Sequence, residues 1–157
     1  MKVPIPFKKL LPFKLKPLSG FLIVRFQDNN LTNPQPHWYI IIRIINTDNF
    51  IVIIITSQKN NRIRYYNRTN QPKASECLVG VNNNDFSYLT QDSAVNCNVA
   101  EHLSIEEIVH RVDEKQGFKI EEEPIQPYLR KEIVSAILKS PLLGRAIKDL
   151  AKASNPL

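Results

Sequence analysis

The segment between residues 58 and 73, which is predicted to be a loop, has the residue types that bind nucleic acid. It carries five cations and no acid, with two adjacent tyrosines in its middle. Arginine and lysine neutralise phosphates, and tyrosine rings offer stacking surfaces for unpaired bases, a combination typical of proteins that bind single-stranded RNA. The residues predicted to bind RNA here are Lys59, Arg62, Arg64, Tyr65 and Arg68. The alternative is a solvated hairpin loop in which a tyrosine covers the core.

Three residues near this segment are candidates for catalysis. His37 follows a proline at the start of an apolar run, and Thr56 and Ser57 end the next apolar run. Cleavage of a phosphodiester requires the 2′-hydroxyl to lose a proton and the leaving oxygen to gain one, which a histidine near neutral pKa can do. The two hydroxyls can bind a phosphate. Alternatively, His37 hydrogen-bonds a strand end and the hydroxyls cap a turn.

A β-hairpin is predicted to position these residues. The runs "HWYIIIRII" and "FIVIIIT" are too short and too β-branched for helices, and a four-residue polar turn joins them. Their nearly continuous apolarity indicates that both faces are covered, as in the centre of a closed or partly closed sheet. With "FLIVRF", "ECLVGV" and the strands of "FSYLTQDSAVNCN", the prediction is a small β-barrel of five to six strands over residues 20–98.

The flanking segments complete an α+β fold. Residues 1–19 are predicted to be a basic arm that its prolines keep from forming a helix. Residues 99–157 are predicted to form two or three C-terminal helices packed on the barrel. The first begins at a capping box on Ser104 and runs until Gly117, and the third begins at Ser140. The second has apolar residues at helical spacing: Leu129, Ile133, Ala136 and Ile137.

The charge of the chain is unevenly divided. Residues 1–75 hold twelve lysines and arginines and two acids, whereas residues 76–157 hold nine lysines and arginines and thirteen acids. The net charge of the whole chain is +6. The basic half is expected to attract polyanions, which include nucleic acid, an acidic protein segment and an anionic membrane surface.

Cysteine content and hydropathy argue against several classes of protein. The two cysteines, Cys77 and Cys97, do not make a disulfide framework, and no Cys/His cluster has zinc spacing. We therefore predict free thiols, a cytoplasmic protein, and no metal or other cofactor. The uncharged apolar runs are far shorter than the roughly 20 residues of a membrane-spanning helix, so no stable membrane insertion is expected.

The order of these pieces resembles the PemK/MazF-like toxins of bacterial toxin–antitoxin systems. The resemblance covers residues 20–98 and is carried by "GFLIV", "PHWYIII", "FIVIIITSQ", the basic segment and "YLTQDSAVNC". It implies an SH3-like barrel with appended helices and a cytoplasmic, dimeric endoribonuclease. Such an enzyme cleaves single-stranded RNA without metal, and an acidic antitoxin protein neutralises it.

The same resemblance assigns roles to individual residues. It implies that Thr56 and Ser57 contact RNA phosphate, and that Asp92 and Ser93 start the strand that leads to the active groove. His37 falls where the family usually has a basic residue.

One expected residue is missing. The family's catalytic arginine should follow the Asp-Ser pair, but "SAVNCN" has Asn96, Cys97 and Asn98 there. Without a fixed cation to stabilise the phosphorane, much of the electrostatic catalysis is lost, unless Arg62 or Arg64 reaches in.

Three functions follow from these patterns. The first is a toxin-like endoribonuclease, with His37 as proton carrier. The second is a non-catalytic SH3-like module that binds nucleic acid or an acidic protein partner through the same surface. The third is attachment to a membrane surface through residues 1–19.

Overall fold

The computed structural model describes residues 6–154, which form one seven-stranded sheet and six helices. The strands are β1 (Phe21–Gln27), β2 (Pro36–Arg43), β3 (Asn49–Thr56), β4 (Leu78–Val81), β5 (Ser93–Asn96), β6 (Glu101–Ser104) and β7 (Phe118–Glu121). The helices are α1 (Phe7–Leu15), α2 (Lys59–Arg68), α3 (Pro72–Ser75), α4 (Ile105–Arg111), α5 (Pro127–Lys139) and α6 (Arg145–Ala153). A 3₁₀ turn (Cys97–Val99) separates β5 from β6. Residues 1–5 of the predicted arm and residues 155–157 of the predicted helical segment lie outside the described residues.

The sheet is antiparallel, and its strand order is β4–β5–β3–β2–β1–β7. The predicted hairpin forms its centre, with β2 and β3 in register from Trp38 opposite Ile55 to Arg43 opposite Phe50. β5 and β6 share the other edge of β3, where β5 pairs with its C-terminal end and β6 with its N-terminal half. The 3₁₀ turn thus interrupts what is otherwise one continuous neighbour of β3.

The α+β class is confirmed, but the SH3-like barrel is not, because the described sheet is open between its outer strands β4 and β7. Helices, rather than closure, cover both apolar faces of the hairpin. Ile40 and Ile53 pack in one cluster with Ile133 of α5, and Ile41 and Val52 pack on the other face with residues of α1 and α4. Both faces are therefore buried without the sheet curling on itself.

The helices divide between the two faces. Leu11 and Leu15 of α1 and Ile105 and Ile108 of α4 belong to the cluster on one face. Tyr66 of α2 packs on Ala94, which pairs with Thr56 and so points to that same face. We call this side, covered by α1 to α4, the α2 face. The opposite side, covered by α5 and α6, is the α5 face.

The C-terminal segment corrects three predictions. It contributes β6 and β7 to the sheet, so the sheet has seven strands and extends beyond residue 98. The capping box at Ser104 is confirmed, but α4 ends at Arg111 because Val112 is extended and bridges to Asp28. The third helix begins at Arg145 and not at Ser140, which instead caps the C-terminus of α5 and is fully buried.

The expectation that residues 1–19 form a non-helical arm is wrong for the described part, since α1 is a helix with Pro12 inside it. Proline costs a helix one hydrogen bond and a steric clash. Two features offset that cost. Leu11 and Leu15, one turn apart, are completely buried. The Arg43 guanidinium, on β2, hydrogen-bonds through Nη1 to three carbonyls at the helix end, those of Leu15, Lys16 and Leu18, at 3.1, 3.1 and 3.4 Å.

We expect Arg43→Ala to lower the free energy of unfolding by about 2–4 kcal/mol, because it removes the hydrogen bonds of the guanidinium to the carbonyls after α1 and to the Thr47 carbonyl. The free energy of unfolding of Arg43→Lys should lie between those of wild type and Arg43→Ala, since an ammonium lacks the planar fork that reaches several acceptors. Urea denaturation gives the free energy, and hydrogen exchange locates the effect. Wild-type amide protection of α1 in Arg43→Ala would contradict this role.

Candidate nucleic-acid interface

One end of the sheet gathers many of the residues predicted to act on RNA. Because neighbouring strands are antiparallel, the start of β2, the end of β3 and the start of β5 lie side by side. These strand ends carry His37, Thr56 and Ser93 respectively. Ser57 and Asp92 lie just beyond β3 and before β5.

Two adjoining cavities open at this end. The first, of about 270 Å³, includes His37, Ser57 and Ser93 among its lining residues. The second, of about 430 Å³, runs along the first turns of α2; its lining includes Ser57, Lys59, Arg64 and Asp92. Ser57 and Gln91 line both cavities. Between them, the two adjoining cavities are lined by six of the ten predicted site residues: His37, Ser57, Lys59, Arg64, Asp92 and Ser93.

The basic segment is helical and not a loop, which corrects the expectation from sequence. Ile63 and Tyr66, three residues apart, form its inward face and pack on Ala74, Leu78 and Ala94. Lysine and arginine are good helix formers, so the composition allows a helix once an apolar stripe can be buried. The segment continues into α3, which starts at Pro72.

The helix turns its basic residues outward. Arg62, Arg64 and Arg68 are exposed, and Lys59 is half-buried. None of these four cations makes an ion pair within residues 6–154. Arg62 and Arg68 lie outside the two cavities, on the exposed surface of the same helix.

The two tyrosines of this segment have different environments. Tyr66 is buried, and the side-chain Nδ2 of Asn96 donates to its hydroxyl at 3.2 Å. Tyr65 is 44% exposed, and its ring meets that of Tyr66 edge-on at 5.4 Å. Only Tyr65 therefore offers a ring face to a base, whereas Tyr66 holds the helix on the sheet.

The hydroxyl residues at the sheet end are partly engaged within the protein. Thr56 Oγ1 accepts a hydrogen bond from the backbone N–H of Gln58 at 3.0 Å, which is the turn-capping role weighed for it. Ser93 is buried, and its Oγ donates to the carbonyl of Gln91 at 3.0 Å. Ser57 is exposed in the lining of both cavities, so it is the hydroxyl of the three best placed to meet a phosphate.

His37 is partly buried at the rim of the first cavity. Strand alternation directs its side chain towards the α2 face, where its ring meets that of Tyr39 edge-on at 6.3 Å. Burial, and secondarily the positive charge of Arg25, lower the pKa of His37 below its ordinary value of 6.5. The imidazole is therefore neutral at pH 7 and able to accept a proton.

We expect an NMR titration to give His37 a pKa below 6.5, and Arg25→Gln to raise it, because the substitution removes a nearby like charge. As the pH falls, the imidazole of His37 is protonated in the unfolded chain at a higher pH than in the folded protein. The stability that His37 contributes above pH 6.5 is therefore lost as the pH drops through the pKa of the folded state. Urea denaturation between pH 7 and 5 should therefore show a steeper loss for wild type than for His37→Gln. Equal slopes would contradict the depressed pKa.

Three further residues line the first cavity that sequence reasoning did not select. The Trp38 ring packs on the Tyr88 ring at 4.4 Å, and the Arg25 guanidinium lies 5.7 Å from the centre of the Trp38 ring. Tyr88 also has a buried hydroxyl without a hydrogen-bond partner among the described residues. The sequence signal for Arg25 was a charged residue inside the apolar run "FLIVRF". Tyr88 lies in a turn, and no pattern in the sequence distinguished it.

The positions where an arginine was expected are inside the protein. Asn96, Cys97 and Asn98 are all buried. Burial raises the pKa of the Cys97 thiol, and its Sγ donates to the carbonyl of Ile133, so this cysteine is a structural thiol and not a nucleophile. An arginine at any of the three would need a buried counterion, and Arg25 is instead the guanidinium that lines the cavity.

Comparison of the chain with protein-family models, with curated proteins and with solved structures gives no match to any of the three.

Proposed function

We propose that this protein binds single-stranded RNA along α2 and in the two cavities beside it, without cleaving it. The observation that carries the proposal is the three exposed arginines of α2, which make no ion pair within residues 6–154, beside a cavity lined in part by Trp38 and Tyr88. Phosphates would lie along the helix, and an unpaired base would stack on an aromatic ring.

The charges of the region support a polyanionic ligand. Arg62, Arg64 and Arg68 project from one helix, and Lys59 lies beside Gly80 of β4. Asp92 is the acid that lines the second cavity, and it makes no ion pair with Arg64 within the described residues. Unpaired like charges on one helix repel each other, and a phosphate backbone relieves that repulsion.

A metal-independent endoribonuclease of the PemK/MazF type is the second candidate. A specific observation favours it, since His37, whose pKa is lowered, lines the first cavity together with Arg25 and Ser57. Alternation along β1 and β2 sends the Arg25 and His37 side chains to opposite faces of the sheet, so the two would meet a substrate at the strand ends. In that reaction His37 would take the proton of the 2′-hydroxyl, and Arg25 would supply the cation missing after the Asp-Ser pair. The acidic antitoxin partner, the homodimer and the cytoplasmic location stay predictions attached to this candidate.

The deciding experiment incubates the full chain with fluorescent single-stranded RNA in EDTA and follows binding and RNA length together. If four cations of α2 meet phosphates, raising salt from about 50 to about 200 mM should weaken binding about 50-fold. Intact RNA with this salt response supports the binding function. If the wild type cleaves RNA and His37→Gln and Arg25→Gln do not, the protein is a ribonuclease and the binding function is wrong.

Failure to bind RNA at low salt would contradict both candidates. An acidic peptide that binds the same surface in its place would support the protein-partner alternative, since the charge requirement is shared. A double-stranded RNA of the same length is the matched control, because its bases are paired and cannot stack on Trp38 or Tyr65.

A further inference from the structure

The outer surface of α1 combines basic and apolar side chains. Leu11 and Leu15 face the sheet, and the residues on the opposite side of the helix point to solvent. Phe13 is 71% exposed and Leu10 is 36% exposed. A large aromatic side chain at that exposure buries little of its area in the fold, and an exposed apolar patch bordered by polar residues is typical of an interaction site.

Lysines surround this apolar pair. Lys9 and Lys16 lie four residues before and three residues after Phe13, on the same side of the helix, and Lys14 follows it. The Lys16 ammonium lies 5.8 Å from the centre of the Phe13 ring. No acid occurs in the chain before Asp28.

From this juxtaposition we propose that α1 docks the protein on an anionic lipid surface, with Phe13 and Leu10 inserted among the acyl chains and Lys9, Lys14 and Lys16 at the headgroups. A helix lying in the interface has an apolar side and a lysine-rich border, which is the arrangement found here. Long lysine stems let the ammonium groups reach the headgroups while the ring lies deeper.

The apolar pair favours lipid over nucleic acid as the occupant. Lysines beside an aromatic ring suit either polyanion, since a ring can also stack on a base, but an exposed leucine gains free energy only where it leaves water. α2, by comparison, exposes arginines, asparagines and Tyr65, with no exposed aliphatic side chain among its residues. Docking through α1 is peripheral, since no helix within residues 6–154 has both the length and the apolarity to cross a bilayer.

The test is co-sedimentation of the full chain with vesicles. We expect binding to vesicles of equal parts phosphatidylcholine and phosphatidylglycerol, and none to phosphatidylcholine alone. Replacing Lys9, Lys14 and Lys16 by glutamine should weaken binding about 100-fold, because each lysine near an anionic surface contributes roughly fivefold. Phe13→Ala should weaken it about tenfold by removing the apolar anchor.

The control removes the same number of lysines elsewhere, at Lys131, Lys139 and Lys152 on the α5 face, and should leave lipid binding unchanged. Phe13 is exposed, so its replacement leaves the fold intact, and circular dichroism verifies this. The proposal is overturned if the anionic vesicles do not bind the chain, if the control variant loses binding equally, or if Phe13→Ala binds as wild type. It is also overturned if the lysine variant loses RNA binding in place of lipid binding, which would make α1 part of the nucleic-acid surface.

Discussion

Replacing Arg62, Arg64 and Arg68 together by glutamate is expected to weaken binding of single-stranded RNA by at least about 100-fold at moderate salt. Each substitution removes a cation that can neutralise a phosphate and puts an anion in its place. All three side chains are exposed and make no ion pair within the described residues, so the substitutions break no ion pair, and circular dichroism checks that α2 stays folded with a glutamate in its last turn. Fluorescence anisotropy with a labelled oligonucleotide measures the change.

The matched control for this triple variant is Lys131, Lys139 and Lys152 replaced by glutamate. These lysines are exposed on α5 and α6, which cover the opposite face of the sheet. The change in net charge is the same, so long-range attraction falls equally in both variants. If both lose RNA binding to the same extent, the protein attracts RNA through its net charge, and α2 is not the binding surface.

The second large effect is expected at Asn98, a buried residue in the 3₁₀ turn between β5 and β6. Its Nδ2 donates to the carbonyl of Ala74 at 2.7 Å, and its Oδ1 accepts from the Ser140 hydroxyl at 2.7 Å. Asn98→Ala removes these two hydrogen bonds and a third, which Nδ2 donates to Oδ1 of Asn96 at 3.2 Å. The Ala74 carbonyl keeps the backbone N–H of Cys77, but the buried Ser140 hydroxyl loses the acceptor of its proton. We expect the free energy of unfolding to fall by about 3 kcal/mol, which lowers the melting temperature by about 6–12 °C.

Calorimetry on this variant is compared with Asn83→Ala, where the asparagine lies in an exposed turn and no change is expected. Asn98→Asp is a further test, because a carboxylate can still accept from Ser140 but cannot donate to Ala74 unless it is protonated. A melting temperature of Asn98→Ala within a degree or so of wild type would mean that water replaces the lost hydrogen bonds.

Asn98 also explains how the candidate interface is held. Ala74 belongs to α3, directly after the basic helix, and Ser140 ends α5 on the opposite face of the sheet. The 3₁₀ turn lies between β5 and β6, the two strands beside β3. From this turn the side-chain amide of Asn98 contacts the helices on both faces of the sheet. Asn96 and Tyr66 extend the same network to α2. The stretch that departs from the toxin pattern is therefore the one that fastens the basic helix to the sheet.

Local sequence was enough for the elements whose signals are short-range. The strand runs around the polar turn 46–49 predicted the central hairpin, and the spacing of Ser104 and Glu107 predicted the capping box. The apolar positions Leu129, Ile133 and Ile137 predicted the buried side of α5. In the candidate interface, the proximity of His37, Ser57 and the basic segment followed from antiparallel pairing of that hairpin, since a turn returns β3 to the level where β2 began.

Tertiary contacts decided the remainder. An apolar strand pair must be covered on both faces, but the strand sequences do not show whether a closed barrel or flanking helices provide the cover. The open sheet was therefore not predictable from the strands. Residues 7–15 and 59–68 have weak helical signals by themselves, and each became a helix because the sheet buries one stripe of it, through Leu11 and Leu15 in α1 and Ile63 and Tyr66 in α2. The sequence alone determined the charges and the hairpin; which faces those charges occupy was set by burial against segments distant along the chain.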